Sequence, residues 1–212
     1  IELARSAFTA GVPFVIFDWI YHRVTAGEPH DLNRVLDAMS PEERDRCIFL
    51  DGITKSLGGS NIRNAHLVAS TEVVKFIARR ASHGVIPSFH SQAVALAAYR
   101  RGFSKVAAVV NRPTHASRLL VGEFLREHDV RHIIGNGYYA FLDVGQWIDA
   151  AGLADSVALG TRLGEEHGVA LVPGSHFSDT ASRWIRFSYA LAPEKTEAAM
   201  RRLWDGLNAL AG

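Results

Sequence analysis

The chain has 212 residues, 48% of them hydrophobic, and a formal net charge of +1. This composition predicts a globular protein with a buried core, and the near-neutral charge gives no indication of nucleic-acid binding. No apolar run approaches ~18 residues, so the sequence predicts no membrane span.

Cysteine and histidine usage bears on redox compartment and on metal binding. Cys47 is the single cysteine and cannot form an internal disulfide, which is typical of a protein from the reducing cytoplasm. The ten histidines form no His-Glu-x-x-His pattern, and no second cysteine is present, so we expect no structural metal.

Predicted helices and strands alternate in the first half of the chain, which is typical of an α/β domain. The apolar run from Val12 to Tyr21 predicts a strand buried on both faces of a parallel sheet. Ser40-Pro41-Glu42-Glu43 predicts a capped helix start. The expected strands are 13–18, 47–54 and 66–70, and the expected helices are 1–10, 71–81 and 92–101.

A second, smaller α+β domain is predicted after a helix near 117–128, so the expected domains are 1–122 and 123–212. Residues 135–140 match a Gly-x-Gly-x-x-Ala dinucleotide pattern, but β-rich sequence follows where a helix is needed, and Asn136-Gly137 favours a hairpin. The remaining expected elements are a hairpin near 131–144, a helix at 156–167, strands around Val169 and Arg186, and a helix from Pro193.

Lys55 is the first candidate site residue. It follows an apolar strand and precedes a glycine-rich turn, and Arg63 comes eight residues later. A lysine amine can form a Schiff base with an aldehyde, and a guanidinium can pair with phosphate oxygens. The pattern therefore favours covalent capture of a phosphorylated aldehyde.

Further candidate residues lie upstream and downstream of this turn. Asp18 ends the first predicted strand, and Tyr21 is three residues further on, at the sheet edge where α/β proteins bind ligands. In the strand 184–190, alternation predicts Ile185 on one face and Arg186 on the other. An arginine there needs an anion, and we expect a substrate carboxylate or, alternatively, a structural ion pair.

The ordered motifs resemble the class I/II aminotransferases, which are fold-type I enzymes that use pyridoxal 5′-phosphate (PLP). The matching positions are Asp18 and Tyr21 in the first motif, Lys55, Gly58 and Arg63 in the second, and Pro173, Gly174, Phe177 and Arg186 in the third. The resemblance implies the C-terminal part of a mostly parallel-sheet large domain, followed by a small α+β domain.

The resemblance also implies a role for each matched side chain. Lys55 would hold PLP as a Schiff base and move the α-proton of the substrate. Asp18 would pair with the pyridine nitrogen, and Tyr21 would hydrogen-bond the ring oxygen. Arg63 would bind the phosphate, and Arg186 would bind the α-carboxylate of an amino acid.

Two departures from the family pattern concern the phosphate and the substrate. Gly52 stands where the family often has a phosphate-binding serine, so Thr54 is expected to supply a hydroxyl. Asp51 would share a face with Lys55 if 51–55 were an extended strand, which would favour a cationic substrate such as arginine. The alternative for Asp51 is a hydrogen bond to the nearby backbone.

The predicted function is therefore an aminotransferase. Two alternatives stay open: a PLP-dependent oxidase or hydroxylase of L-arginine, and a non-catalytic PLP-binding sensor domain of a transcription regulator. The resemblance further implies a cytoplasmic homodimer with a shared active site. It also implies an N-terminal half, because the other cofactor-binding groups of the family do not precede Asp18.

Overall fold

The computed structural model describes residues 1–81 and 88–212, and these divide into two compact units, Ile1–Asn111 and Arg112–Gly212. The division falls within a single long helix, Phe103–Glu127. The boundary expected from the sequence, 122/123, falls in the same helix, which is much longer than the predicted 117–128. The domain assignment itself stays a prediction.

A three-stranded sheet forms the centre of the first unit, in the order β1 (Val15–Asp18), β2 (Cys47–Gly52), β3 (Ala65–Val68). β1 and β2 are parallel, as predicted, whereas β3 runs antiparallel to β2. The helices are α1 (Glu2–Thr9), α2 (Leu32–Asp37), α3 (Pro41–Asp45), α4 (Ile53–Ser56), α5 (Thr71–Arg80), α6 (Phe89–Arg100) and α7 (Phe103–Glu127).

Local sequence signals explain the start of α3. Ser40 accepts a hydrogen bond from the Glu43 N–H, and the Glu43 carboxylate accepts one from the Ser40 N–H. This reciprocal capping box satisfies two backbone donors, and Pro41 suits the first turn because it has no N–H to satisfy. The prediction of a capped helix here is confirmed.

The sheet of the first unit buries one face only within the described residues. Phe17, Cys47 and Phe49 lie on the covered face, where side chains of α1 and α2 pack against them. Ile16 points to the other face and is 60% exposed. The prediction that β1 is buried on both faces is therefore wrong for the described residues, because the packed helices cover only the opposite side.

β2 is shorter than predicted, and this changes the setting of Lys55. The strand ends at Gly52, and the next four residues form α4, so Lys55 lies on a helical turn. Ile53 is 1% exposed and packs into an apolar cluster of α6 and α7 that includes Ala95 and Phe103. Burial of Ile53 therefore stabilises a helical turn at positions 53 and 54, where the sequence had predicted that the strand continues.

The second unit contains an antiparallel sheet and three further helices. The strands are β4 (His132–Ile134), β5 (Tyr139–Asp143), β6 (Val172–Pro173) and β7 (Trp184–Ser188), in the order β4-β5-β7-β6. The helices are α8 (Gly145–Ala150), α9 (Ser156–His167) and α10 (Pro193–Ala211). The hairpin predicted near 131–144 is confirmed as β4–β5.

Two predictions for this unit need correction. The strand expected around Val169 begins only at Val172. Gly168 has a φ of 63°, and the Val169 N–H donates to Leu163 O, so both residues belong to the C-terminal end of α9 and not to a strand. The helix α8 was not predicted from the sequence. The helix predicted from Pro193 is confirmed as α10, in which Met200, Leu203 and Leu207 are buried.

Among residues 1–81 and 88–212, no helix combines the length and the apolar character that crossing a bilayer requires.

Candidate active site

Lys55 lies on α4, just after the carboxyl end of β2. Its neighbours Ile53 and Ser56 are buried, and the Ser56 hydroxyl donates to Gly52 O at 3.1 Å, which ties the turn to the strand. The Lys55 side chain is half-buried, and its Nζ lies 5.4 Å from the centroid of the Tyr21 ring. The structure thus brings together two side chains that are 34 positions apart in the sequence.

Gly52 shows why this chain lacks a side chain three positions before the lysine. A Cβ at Gly52 would lie 2.8 Å from Asn64 O and 3.1 Å from Ala65 Cα, both of which are backbone atoms. A serine would therefore require β2 and β3 to separate. The close approach of the two strands explains this departure from the family pattern.

Asp18 ends β1 at the same edge of the sheet. It is exposed, and its Oδ1 accepts a hydrogen bond from the Ile20 N–H at 3.2 Å. Its register partner is Leu50, so its side chain lies on the face of Ile16 and Leu50. The Trp19 N–H donates to Leu50 O at 2.8 Å, and the chain then turns so that Tyr21 reaches Lys55.

Arg63 lies in the turn between α4 and β3 and has a φ of 55°. This left-handed conformation costs a residue with a side chain about 1–2 kcal/mol relative to the ordinary helical region. The side chain is exposed, and its guanidinium donates to Ser60 O at 2.9 Å. A strained, exposed arginine eight residues after Lys55 is typical of a functional position.

The extended strand 51–55 that would place Asp51 on one face with Lys55 is not formed, so the sequence argument for a cationic substrate loses its premise. Residues 53–56 are helical, and the alternation of β2 directs Asp51 to the opposite face from Leu50 and Asp18. The Asp51 carboxylate accepts a hydrogen bond from the Gly52 N–H at 2.7 Å, which confirms the alternative stated for this residue. It also lies 3.7 Å from His22 Nδ1 and 3.7 Å from Arg23 Nε.

The cluster of Asp51, His22 and Arg23 was not found by sequence reasoning. Burial is the main cause that lowers the pKa of His22, and the backbone oxygen of Trp19 and the Asp51 carboxylate oppose it. A cleft of about 800 Å³ lies on this side of the sheet. The sequence does show a basic pair, His22 and Arg23, directly after Tyr21. Only the strand register shows that this pair lies beside Asp51.

Arg186 lies in the second unit, on β7. Ile185 and Phe187 are buried on one face of the sheet, and Arg186 is on the other, so the predicted alternation is confirmed. Its guanidinium carbon lies 4.3 Å from the Tyr139 ring centroid and 5.0 Å from that of Phe177.

No carboxylate pairs with Arg186 within the described ranges, and its Nε is buried without a hydrogen-bond partner there. Asp143, on the neighbouring strand β5, pairs instead with Arg131, at 3.6 Å. The guanidinium is thus held by aromatic rings and not by an anion of the described chain.

The side chains of the first unit fit PLP by their chemistry. An amine, a phenol, a carboxylate and a guanidinium lie at or after the carboxyl ends of β1 and β2, in Lys55, Tyr21, Asp18 and Arg63. These groups match the aldehyde, ring oxygen, ring nitrogen and phosphate of the cofactor. The Thr54 hydroxyl is carried by the same short helix as Lys55.

Comparison with known proteins identifies the family. Residues 10–203 match the family model described as aminotransferase class I and II. The chain is 29% identical over 193 residues to the probable N-acetyl-LL-diaminopimelate aminotransferase of Bacillus subtilis (strain 168), covering 90% of this chain and 46% of that protein.

Solved structures show the same fold. An aromatic aminotransferase from Pyrococcus horikoshii OT3 matches with a TM-score of 0.81 at 25% identity, over 98% of this chain and 54% of that one. The aspartate aminotransferase of Thermotoga maritima matches with a TM-score of 0.79 at 26% identity, over 97% and 50%. The chain spans about half the length of these relatives. The predicted fold, PLP-transferase fold type I, is confirmed, and the chain belongs to the aminotransferase class I and II family, whose members use PLP.

Proposed function

We propose that this chain supplies the reactive lysine, most cofactor-binding groups and the carboxylate-binding arginine of a PLP-dependent aminotransferase acting on L-amino acids. The observation that carries the proposal is the approach of Lys55 Nζ to the Tyr21 ring, at 5.4 Å, beside the carboxyl ends of two parallel strands. The family match over residues 10–203 supports it.

Each side chain has a distinct role in the proposed reaction. PLP, when bound, supplies an electron sink that makes the Cα proton of an amino acid removable. Lys55 would bind the aldehyde carbon covalently through Nζ and later carry the Cα proton. Asp18 would accept a hydrogen bond from the protonated ring nitrogen, and the Tyr21 hydroxyl would donate to the ring oxygen. Arg63 and the Thr54 hydroxyl would bind the phosphate.

The substrate is proposed as an L-amino acid, bound through its α-carboxylate by Arg186. A guanidinium binds a carboxylate through two parallel N–H donors, which orients as well as attracts the substrate. We do not propose a preference for arginine, because Asp51 already contacts His22 and Arg23 on the other face of the sheet.

We further propose that the active protein is a cytoplasmic homodimer with a shared active site, and that additional cofactor-binding groups come from polypeptide outside this chain. The half-length match to the relatives and the lack of room for a side chain at Gly52 support the contribution from other polypeptide, since Arg63 and Thr54 alone provide few phosphate contacts.

The first test is the visible absorption of PLP bound to the longest natural polypeptide that contains this chain. We expect a protein-bound band in the wild type, loss of the band in Lys55→Ala, and retention in the matched control Lys105→Ala, which changes an exposed lysine of α7. A band that survives Lys55→Ala would refute the assignment of the lysine.

The second test distinguishes the reaction classes. L-amino acids are added without oxygen, and the pyridoxamine form of the cofactor is measured after acid release. Its formation, in amounts equal to the oxo acid produced, supports an aminotransferase. Turnover that requires oxygen would instead support an oxidase, and bound PLP with no turnover of any donor would support a sensor domain.

A further inference from the structure

Aromatic side chains surround Arg186 on the open face of the second sheet. Tyr139 and Phe141 come from β5 and Trp184 from β7, while Phe177 follows the 3-10 turn Gly174–His176. Phe141 stacks on Trp184 with ring centroids 5.4 Å apart and meets Phe177 edge-on at 5.9 Å. Phe141 thus connects Trp184 with Phe177, and Tyr139 joins them through the Arg186 guanidinium. We name these four side chains the aromatic group.

Two members of the aromatic group contact the guanidinium directly. The strand register pairs Phe141 with Arg186 and places Tyr139 diagonally across from it, so that the Tyr139 ring lies 4.3 Å from the guanidinium carbon. Phe177 approaches from the turn, at 5.0 Å, and its N–H donates to Gly174 O at 2.8 Å. The contacts thus come from two independent backbone segments.

The surroundings of Arg186 match what a preorganised anion-binding group needs. An arginine side chain has about 2 kcal/mol of rotamer entropy to lose on being held in one place. Ring contacts can hold the planar guanidinium without occupying its N–H donors, whereas an ion pair to a protein carboxylate would occupy them. The absence of such a carboxylate among the described residues fits this arrangement.

We propose that Tyr139 and Phe177 are positioning residues, which hold the Arg186 guanidinium ready for the α-carboxylate of the substrate. This inference rests on the proposed function, in which Arg186 binds that carboxylate. Neither ring is assigned contact with the reacting atoms.

The test compares ligands that differ only in the carboxylate. Dissociation constants are measured by calorimetry for L-alanine, L-aspartate and L-tyrosine, each beside its α-amide, with the PLP-loaded polypeptide used above. In Tyr139→Leu and Phe177→Leu we expect the dissociation constant of the acids to rise roughly 2- to 30-fold, while that of the amides stays unchanged. A general loss of structure would weaken both ligand series.

Conservative variants and a matched control separate positioning from packing. Tyr139→Phe and Phe177→Tyr keep a ring and should keep the wild-type ratio of acid to amide affinity. Phe124→Leu removes another aromatic of the same unit, one that stacks on His128 at 4.1 Å, and should leave the ratio unchanged.

Arg186→Leu removes the guanidinium and so measures the ratio of acid to amide affinity when the carboxylate preference is fully lost. If Arg186→Leu loses this preference while Tyr139→Leu and Phe177→Leu retain it, the positioning role is refuted and the proposed function stands. If the wild type binds no acid more tightly than its amide, Arg186 is not the carboxylate site and both proposals fail.

Discussion

Replacing Gly174 with alanine should destabilise the second unit, because the Cβ of the alanine would point at two backbone carbonyls. A Cβ at this position would lie 2.6 Å from Trp184 O, 3.0 Å from Trp184 Cβ, and closer still to Ala181 O. The residue is buried and its φ is ordinary, so the effect of the substitution is steric and not conformational.

The expected cost follows from what must move. Backbone oxygens cannot rotate away as the end of a flexible side chain can, so the turn Gly174–His176 or the β6–β7 pair must shift. Overpacking of this kind costs about 1–3 kcal/mol, and we expect the upper end because both close contacts are backbone atoms. For a chain of 212 residues, about 3 kcal/mol lowers the melting temperature by roughly 6–12 °C.

The assay is thermal unfolding of PLP-free protein by scanning calorimetry, with Gly164→Ala as the matched control. Gly164 lies within α9, where the nearest atom to an added Cβ is Val169 O at 3.8 Å, an ordinary contact. Alanine is favoured over glycine in a helix by about 0.5–1 kcal/mol, so the control should melt higher than the wild type. A Gly174→Ala variant that melts with the wild type would refute the steric argument.

Two further predictions concern the first unit. Burial lowers the pKa of His22 below its unfolded value of about 6.5. The contribution of His22 to the stability of the folded state is therefore complete above that pH and is lost as the pH falls through the folded pKa. The urea midpoint of the wild type should drop more steeply on acidification than that of His22→Gln, and equal slopes would contradict this. Arg63→Gly should be about 0.5–1 kcal/mol more stable than Arg63→Ala in the same urea assay, because glycine accepts the φ of 55°. Both variants should bind PLP equally weakly in an absorption titration, because both lack the guanidinium. An alanine variant as stable as the glycine variant would show that the left-handed conformation carries no strain.

Signals within a few residues predicted much of the fold. The alternation around Arg186 depends only on strand geometry, so the face of each side chain in β7 followed from the sequence. The capping box at Ser40 and the Asn136-Gly137 hairpin are equally local, and both are confirmed. In contrast, a one-turn helix such as α4 carries too few residues for a periodic pattern, so Lys55 was expected on a strand.

The strand register decided what local patterns could not. Asp51 was expected beside Lys55, but the end of β2 at Gly52 and the pairing of Asp18 with Leu50 direct it toward His22 and Arg23. The absence of a side chain at Gly52 is likewise a matter of how closely β3 passes.

The sequence by itself determined the residue types of the candidate site and their order, because an amine, a carboxylate and a guanidinium carry their chemistry wherever they lie. The ordered motifs of Lys55, Asp18 and Arg63 were sufficient to indicate the family. Only the tertiary structure decided the contacts of these residues: Lys55 with Tyr21, Asp51 with Arg23, and Arg186 with Tyr139. The physical reason is that such contacts join distant segments, and their formation depends on strand register and on packing, which no local pattern encodes.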